Sequence, residues 1–289
     1  VENMKLNIVY ASSDLGVNVE GSEKAKEKLN EITKDLENVY EVKKENVVKS
    51  YDKKDLEKNI VPLNKFNEKL YKKIVSLKDG ITLTIGGDHS IAIGSALASK
   101  KKNENIGIIW VDAHGDYNTF ETTTTGNLHG MPFATVDGIN GDRLSYFFDG
   151  KYFDPKNSVL FGGRDIDEKE WDNLKRENIK IYSTEDLIKG NIENLVKEAL
   201  EICTKGKDGV HVSIDVDLID PHDAPGVSVK AKDGIKKELA FEILKCLLKE
   251  KDLIKSIDLV EFNKDKDKDD VTYEITKKML EMIINEYKH

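Results

Sequence analysis

Asp112-Ala113-His114-Gly115-Asp116 sets two carboxylates around one imidazole at alternate positions. Asp215-Val216-Asp217 repeats the alternation further along the chain. In extended backbone, side chains at i and i+2 share a face. Each stretch can therefore aim its polar groups at one point, provided it lies at the end of a strand. Carboxylates crowded onto one point repel, and alone they would take up protons or disperse. A divalent cation removes the conflict, and two cations remove it better. His89, in Gly86-Gly87-Asp88-His89, supplies a further imidazole.

The candidate metal ligands are thus His89, Asp112, His114, Asp116, Asp215 and Asp217, whose four carboxylates formally balance two M²⁺ ions. Hard oxygen donors with one nitrogen per ion suit manganese better than zinc, whose structural sites lean on thiolate and histidine. A carboxylate can bridge ions about 3.5–4 Å apart, and a water held between them would lose a proton near neutral pH. Plainer readings exist for single residues. Asp88 could be a turn residue, His89 could cap a helix beginning at Ser90, and Asp220-Pro221 reads as turn chemistry. The two alternating clusters together resist such a reading, because core aspartates are rarely buried unpaired.

The elements that must position these residues are legible as apolar bursts: Leu6 to Ala11, Ile81 to Ile85, Ile106 to Val111, Val159 to Phe161, Val210 to Ile214 and Ile254 to Val260. They are nearly continuous rather than alternating, as suits strands covered on both faces. Amphipathic stretches lie between them: Glu23 to Leu36, Phe66 to Leu77, Ser90 to Ser99, Glu168 to Arg176, Ile192 to Cys203 and Lys236 to Leu248, with Val271 to Tyr287 as a final helix. The alternation predicts an α/β fold, a mainly parallel sheet between helices, formed by residues 1–289 as a single domain. The polar clusters fall at the carboxyl ends of the bursts, where Gly163-Arg164-Asp165 and Glu261 join those already named. That edge is where open α/β sheets hold ligands.

Composition narrows the function class. Against 45 Lys+Arg stand 54 Asp+Glu, a net charge of −9 with no basic stripe, so no nucleic-acid partner is expected. No apolar run reaches membrane-spanning length and no signal-peptide plan opens the chain, so no membrane association is expected and a cytoplasmic enzyme is the simplest class. Cys203 and Cys246, far apart in helical patterns, read as buried reduced thiols.

Over nearly its whole length the chain resembles the ureohydrolase (arginase/agmatinase) family, most closely its arginase branch. The resemblance begins at Gly16-Val17 and Glu20-Gly21 and ends at Glu261. Three motifs carry it: Gly86-Gly87-Asp88-His89-Ser90, Asp112-Ala113-His114-Gly115-Asp116, and Ser213-Ile214-Asp215-Val216-Asp217 with Asp220-Pro221. It implies a three-layer α-β-α fold and two Mn²⁺ per chain. His89, Asp112, Asp116 and Asp215 would hold one ion. His114, Asp112, Asp215 and Asp217 would hold the other, with Asp112 and Asp215 bridging. Thr125-Gly126-Asn127-Leu128-His129-Gly130 resembles a substrate loop. Asn118, Thr125 and Asn127 would then serve a substrate α-carboxylate. Asp167, in Gly163-Arg164-Asp165-Ile166-Asp167, would meet the α-amino group, although a helix N-cap explains that Asp equally well.

By the same resemblance, Asp116, His129 and Glu261 carry the catalysis: Asp116 beside the nucleophile, His129 as proton shuttle and Glu261 on the guanidinium. The implied reaction is hydrolysis of L-arginine to L-ornithine and urea through a metal-bridging hydroxide, in a homo-oligomer, trimer or hexamer. Alternatives are agmatine or formiminoglutamate as substrate, a one-metal deacetylase relative, or a metal-binding protein without turnover. The chain departs from the family pattern twice. Lys264 follows Glu261-Phe262-Asn263 where a Pro is usual, and Ala224-Pro225-Gly226-Val227-Ser228-Val229-Lys230 stands where Gly-Thr-Pro is common.

Overall fold

The structure, a computed structural model, describes residues 5–50, 56–78 and 80–287. Its strands are β1 (Leu6–Ser12), β2 (Val39–Lys43), β3 (Ile81–Gly86), β4 (Gly107–Val111), β5 (Ser158–Gly162), β6 (Lys180–Ser183), β7 (Val210–Asp215) and β8 (Ile254–Val260). They form one sheet in the order β2-β1-β3-β8-β7-β4-β5-β6, and every pairing is parallel. The sheet is thus wholly parallel, where a mainly parallel one was expected.

Alternate strand residues feed two apolar layers, as the pleat requires. Ile8, Tyr10, Ile109 and Val111 face one layer; Val9, Ala11, Ile108 and Trp110 face the other. The helices α1 (Ala25–Thr33), α8 (Ile192–Cys203), α9 (Lys237–Lys249) and α10 (Val271–Tyr287) cover the first face. The second is covered by α2 (Leu56–Ser76), α3 (Ala92–Lys102), α4 (Pro132–Val136) and α6 (Glu168–Arg176). Short helices α5 (Gly141–Leu144) and α7 (Thr184–Lys189) complete the set, and the result is the three-layer α-β-α arrangement. Each fully buried side chain of the size of Leu83 or Phe161 contributes about 1.5–3 kcal/mol to holding the layers together. Cys203 and Cys246 are buried and unbridged.

Two strands escaped the sequence reading. β2 (Val-Tyr-Glu-Val-Lys) and β6 (Lys-Ile-Tyr-Ser) are the outer strands, half-buried and charged. Edge strands are guarded by such charges and lack a continuous apolar run. Helix α2 also begins at Leu56, upstream of Pro62, rather than at Phe66.

Candidate metal centre and substrate cavity

The central strands β3, β8, β7 and β4 bring their carboxyl ends side by side, and the polar clusters follow directly from them. Asp112 comes just after β4, and its Oδ1 accepts the backbone N–H of His114 at 2.7 Å. Asp215 ends β7, and its Oδ1 accepts the N–H of Asp217 at 2.7 Å, starting a 3-10 turn over Val216–Leu218. The i, i+2 convergence is therefore made by two turns that each aspartate caps, not by continued strand. Asp116 turns further away from extended geometry, at φ 49°. Its carbonyl accepts Phe133 N and Ala134 N, which anchors that left-handed turn to α4.

His89 sits in a 3-10 turn that Asp88 caps by accepting Ser90 N. Gly87 is required beside it, because a Cβ there would lie 1.8 Å from Ser13 O. The His89 ring stacks on Trp110 at 4.0 Å, and Trp110 Nε1 donates to Asp112 Oδ2 at 3.0 Å. His89 Nδ1 lies 2.9 Å from Asp112 Oδ2 and 3.2 Å from both Asp116 Oδ2 and Asp215 Oδ2. One N–H cannot serve three carboxylates, so the donor set fits a cation at that convergence. A second convergence joins His114 Nδ1 to Asp217 Oδ2 at 2.9 Å and Asp112 Oδ1 at 3.5 Å. His89/Asp112/Asp215 and Asp112/His114/Asp217 thus form two ligand-like groups sharing Asp112.

The electrostatics carry the signature of crowded carboxylates. Burial and the Asp112 charge push Asp116 up to about 7. Burial, with Asp217 and Asp112 nearby, holds Asp215 well above the carboxylate range. Burial also raises Asp217, with His114 opposing and Asp112 adding to the rise. Burial would raise Asp112 as well, but hydrogen bonds with His114 and His89 outweigh it and hold that carboxyl low. Burial opposes charge on both imidazoles, yet the facing aspartates raise them well above their ordinary value.

Above this cluster opens a cavity of about 200 Å³ whose wall includes His114, Asp116, Asn118, Thr125, Asn127, His129 and Asp167. The sequence-predicted substrate residues thus share one concavity with two of the candidate ligands. His89, Asp112, Asp215, Asp217 and Glu261 lie deeper, all buried. Asn118 Oδ1 accepts the Thr122 hydroxyl at 2.9 Å, and Thr125 Oγ1 accepts Asn127 N at 3.1 Å. Asp167 N-caps α6, its N–H meeting Glu170 Oε2 at 3.2 Å, and its Oδ2 also accepts the Thr124 hydroxyl at 3.0 Å. Asp167 thus caps α6 as expected and also stands on the cavity wall. Asp220 accepts His222 N and Gly234 N, the turn role expected for it. A larger open groove of about 550 Å³ beside Lys24, Glu41 and Lys43 contains none of these residues.

Glu261 follows β8 at φ 69°. Its Oε1 accepts His89 N at 2.8 Å and meets His129 Nδ1 at 2.9 Å, while its buried Oε2 has no partner among the described residues. Burial opposes charge on His129, but the Glu261 charge raises it to about 9.

Some supporting residues had no role in the sequence reading. Arg164 donates to the carbonyls of Asp217, Leu218, Ala231 and Lys232, so its guanidinium clamps the loop that carries a ligand. Its place in a strand-end cluster was the only signal. Glu170 is buried, accepts Tyr117 N at 2.9 Å and is pushed up to about 8 by burial. The two departures from the family pattern meet in space. Val227 and Phe262 form an antiparallel bridge, Asn263 N donates to Gly226 O at 2.8 Å, and Asn263 Nδ2 donates to Ser228 Oγ at 3.1 Å.

Sheet, edge and donor set together define an α/β protein able to hold divalent ions at its strand tips. The family follows from comparison with known proteins. The arginase-family model matches residues 5–285. The arginase of Staphylococcus aureus (strain MSSA476) is 36% identical over 232 residues, covering 74% of this chain and 76% of that protein. The arginase of Bacillus subtilis (strain 168) is 38% identical over 212 residues, covering 71% and 70%. The solved structure of the Bacillus caldovelox arginase superposes with a TM-score of 0.85 at 29% identity, covering 96% of this chain and 97% of that one. The chain belongs to the arginase family and is a hydrolase.

Proposed function

We propose that this chain hydrolyses L-arginine to L-ornithine and urea at a binuclear manganese centre held by His89, Asp112, His114, Asp116, Asp215 and Asp217. The observation that carries the proposal is His89 Nδ1 within 3.2 Å of three carboxylates, one of which, Asp116, lines a cavity walled by Asn118, Thr125, Asn127 and Asp167. When bound, a pair of divalent ions supplies an ionised water at neutral pH.

The chain's own groups would do the rest. Asp116 accepts a hydrogen bond from the nucleophile. Glu261, with one carboxylate oxygen uncommitted, accepts from the planar guanidinium. His129 Nδ1 is committed to Glu261, so Nε2 is the nitrogen that delivers a proton to the departing amine. Asn118, Thr125 and Asn127 are neutral donors suited to an α-carboxylate, and the Asp167 carboxylate suits an α-ammonium. The relatives' arginase names support the same substrate. The working particle is proposed as a cytoplasmic homo-oligomer, trimer or hexamer, of single-domain chains spanning residues 1–289; light scattering tests the oligomeric state.

The deciding experiment offers L-arginine, agmatine and formiminoglutamate to the Mn²⁺-loaded protein and measures urea or the corresponding amide product. Preference for L-arginine in kcat/KM supports the proposal. Preference for either other substrate, or no turnover of any, overturns it.

A further inference from the structure

Beneath the candidate centre, β7 and β8 interrupt the apolar core with a polar row. His211 and Ser213 on β7, Ser256 and Asp258 on β8, and Ser95 and Ser99 on α3 are all buried. Asp258 Oδ2 accepts Ser95 Oγ at 2.7 Å, meets His211 Nε2 at 3.0 Å, and accepts Ser213 Oγ at 3.3 Å. Ser213 Oγ in turn lies 2.9 Å from His89 Nε2. A carboxylate with no exposure, set between strands that could have been apolar throughout, is costly to bury. Such an expense calls for a return, and the row leads straight to a candidate ligand.

The directions follow from the donor inventory. Ser213 Oγ has one proton, and it is donated to Asp258 Oδ2. Ser213 Oγ then accepts from His89 Nε2–H. With one proton held at Nε2, a His89 that binds a cation would present the lone pair of Nδ1 to the convergence of Asp112, Asp116 and Asp215. The Trp110 stack fixes the ring plane but leaves the choice of protonated nitrogen open. A metal-binding histidine needs that choice made by the group on its far nitrogen.

We infer that Asp258, acting through Ser213, is a positioning residue: it fixes the tautomer and orientation of His89 and thereby the affinity of the ion that His89 holds. The inference rests on the proposal that His89 is a manganese ligand.

Mn²⁺ titration by calorimetry, with thermal melts of the chelated protein, tests it in the wild type, Ser213→Ala, Ser213→Thr, Asp258→Asn and His89→Asn. Loss of the relay should weaken one ion about 10–100-fold and leave the other near its wild-type affinity. Ser213→Thr, which keeps the hydroxyl, should restore tight binding, and Ser213→Ala should add no further loss in the His89→Asn background. A purely packing role would lower the melting temperature of the chelated protein and weaken both ions alike, and that pattern overturns the inference. So does wild-type affinity for both ions in Ser213→Ala, which retains the Asp258 contacts to His211 and Ser95 and decides the matter even if Asp258→Asn does not fold. Failure of the wild type to bind two ions would instead bring down the parent proposal.

Discussion

His129 Nδ1 lies 2.9 Å from Glu261 Oε1, and the same oxygen accepts the backbone N–H of His89 at 2.8 Å. One carboxylate thus joins the ring proposed to carry a proton to the turn that carries a candidate ligand. His129 N also donates to Gly16 O at 2.9 Å, and Gly16 N donates to Asp88 Oδ2 at 3.0 Å. His129 is thus held through its ring by Glu261 and through its backbone by Gly16, both of which contact the turn that carries His89.

Replacing His129 should therefore separate chemistry from metal binding. His129→Asn is expected to retain both Mn²⁺ ions by elemental analysis and to lose about 10²-fold or more in kcat. Unchanged turnover would reduce His129 to a structural residue.

Loss of a ligand on the other side of the cluster should show the reverse order of effects. His114 and Asp217 converge with Asp112 and not with His89. Asp217→Asn should lower the bound Mn²⁺ from about two ions per chain to about one. Retention of both ions in dialysed protein would refute the proposed ligand assignment.

The stability of the protein should depend on pH in opposite ways with and without metal. Asp116 moves from 3.8 to about 7 on folding. Native Asp116 therefore binds more protons than the unfolded chain between those values, and its contribution is lost as pH rises through about 7. The raised values of His89 and His114 act in the same direction above their ordinary 6.5. Asp112 has the opposite sign, but its window lies below 3.8. Chelated protein should accordingly lose stability from about pH 5.5 to about pH 8, while Mn²⁺ replaces the protons and its stabilising effect grows. Melts at the two pH values, with chelator and with Mn²⁺, measure this; a Mn²⁺ increment larger at the acidic end would contradict it.

Asp167 should control which end of the substrate is read. Its carboxylate is half-buried at the cavity wall, held by Thr124 and by the start of α6. Asp167→Asn should cost about 10-fold in kcat/KM for L-arginine, the scale of a hydrogen bond to a charged group. A guanidino acid that keeps the carboxylate but lacks the α-amino group gives the comparison: selectivity for L-arginine over it should narrow, and equal losses on both would argue against an α-ammonium contact.

Much of the fold was legible because both sheet faces are covered. The bounds of β8, α6, α8 and α10 agree with the apolar patterns at both ends. β2 and β6 were not legible because an outer strand needs neither continuous apolarity nor freedom from charge. The ligand set could be read as residue types, but the way it converges could not. The i, i+2 argument assumed extended chain, whereas Asp112 and Asp215 each cap a turn with their own carboxylate. Such turns are local side-chain choices that periodicity does not encode. Arg164 and Asp258 act through backbone carbonyls and a buried serine, contacts that only the folded chain brings together.

The bridge between Val227 and Phe262 has a practical corollary for anyone recombining this enzyme with its relatives. The two unusual segments are halves of one joint, stitched by Asn263 to Gly226 and Ser228. Grafting a relative's Gly-Thr-Pro loop alone would leave Asn263 facing a stranger, and swapping the residues after Glu261 alone would strip the loop of its seam. A chimera that exchanges both at once keeps the joint whole.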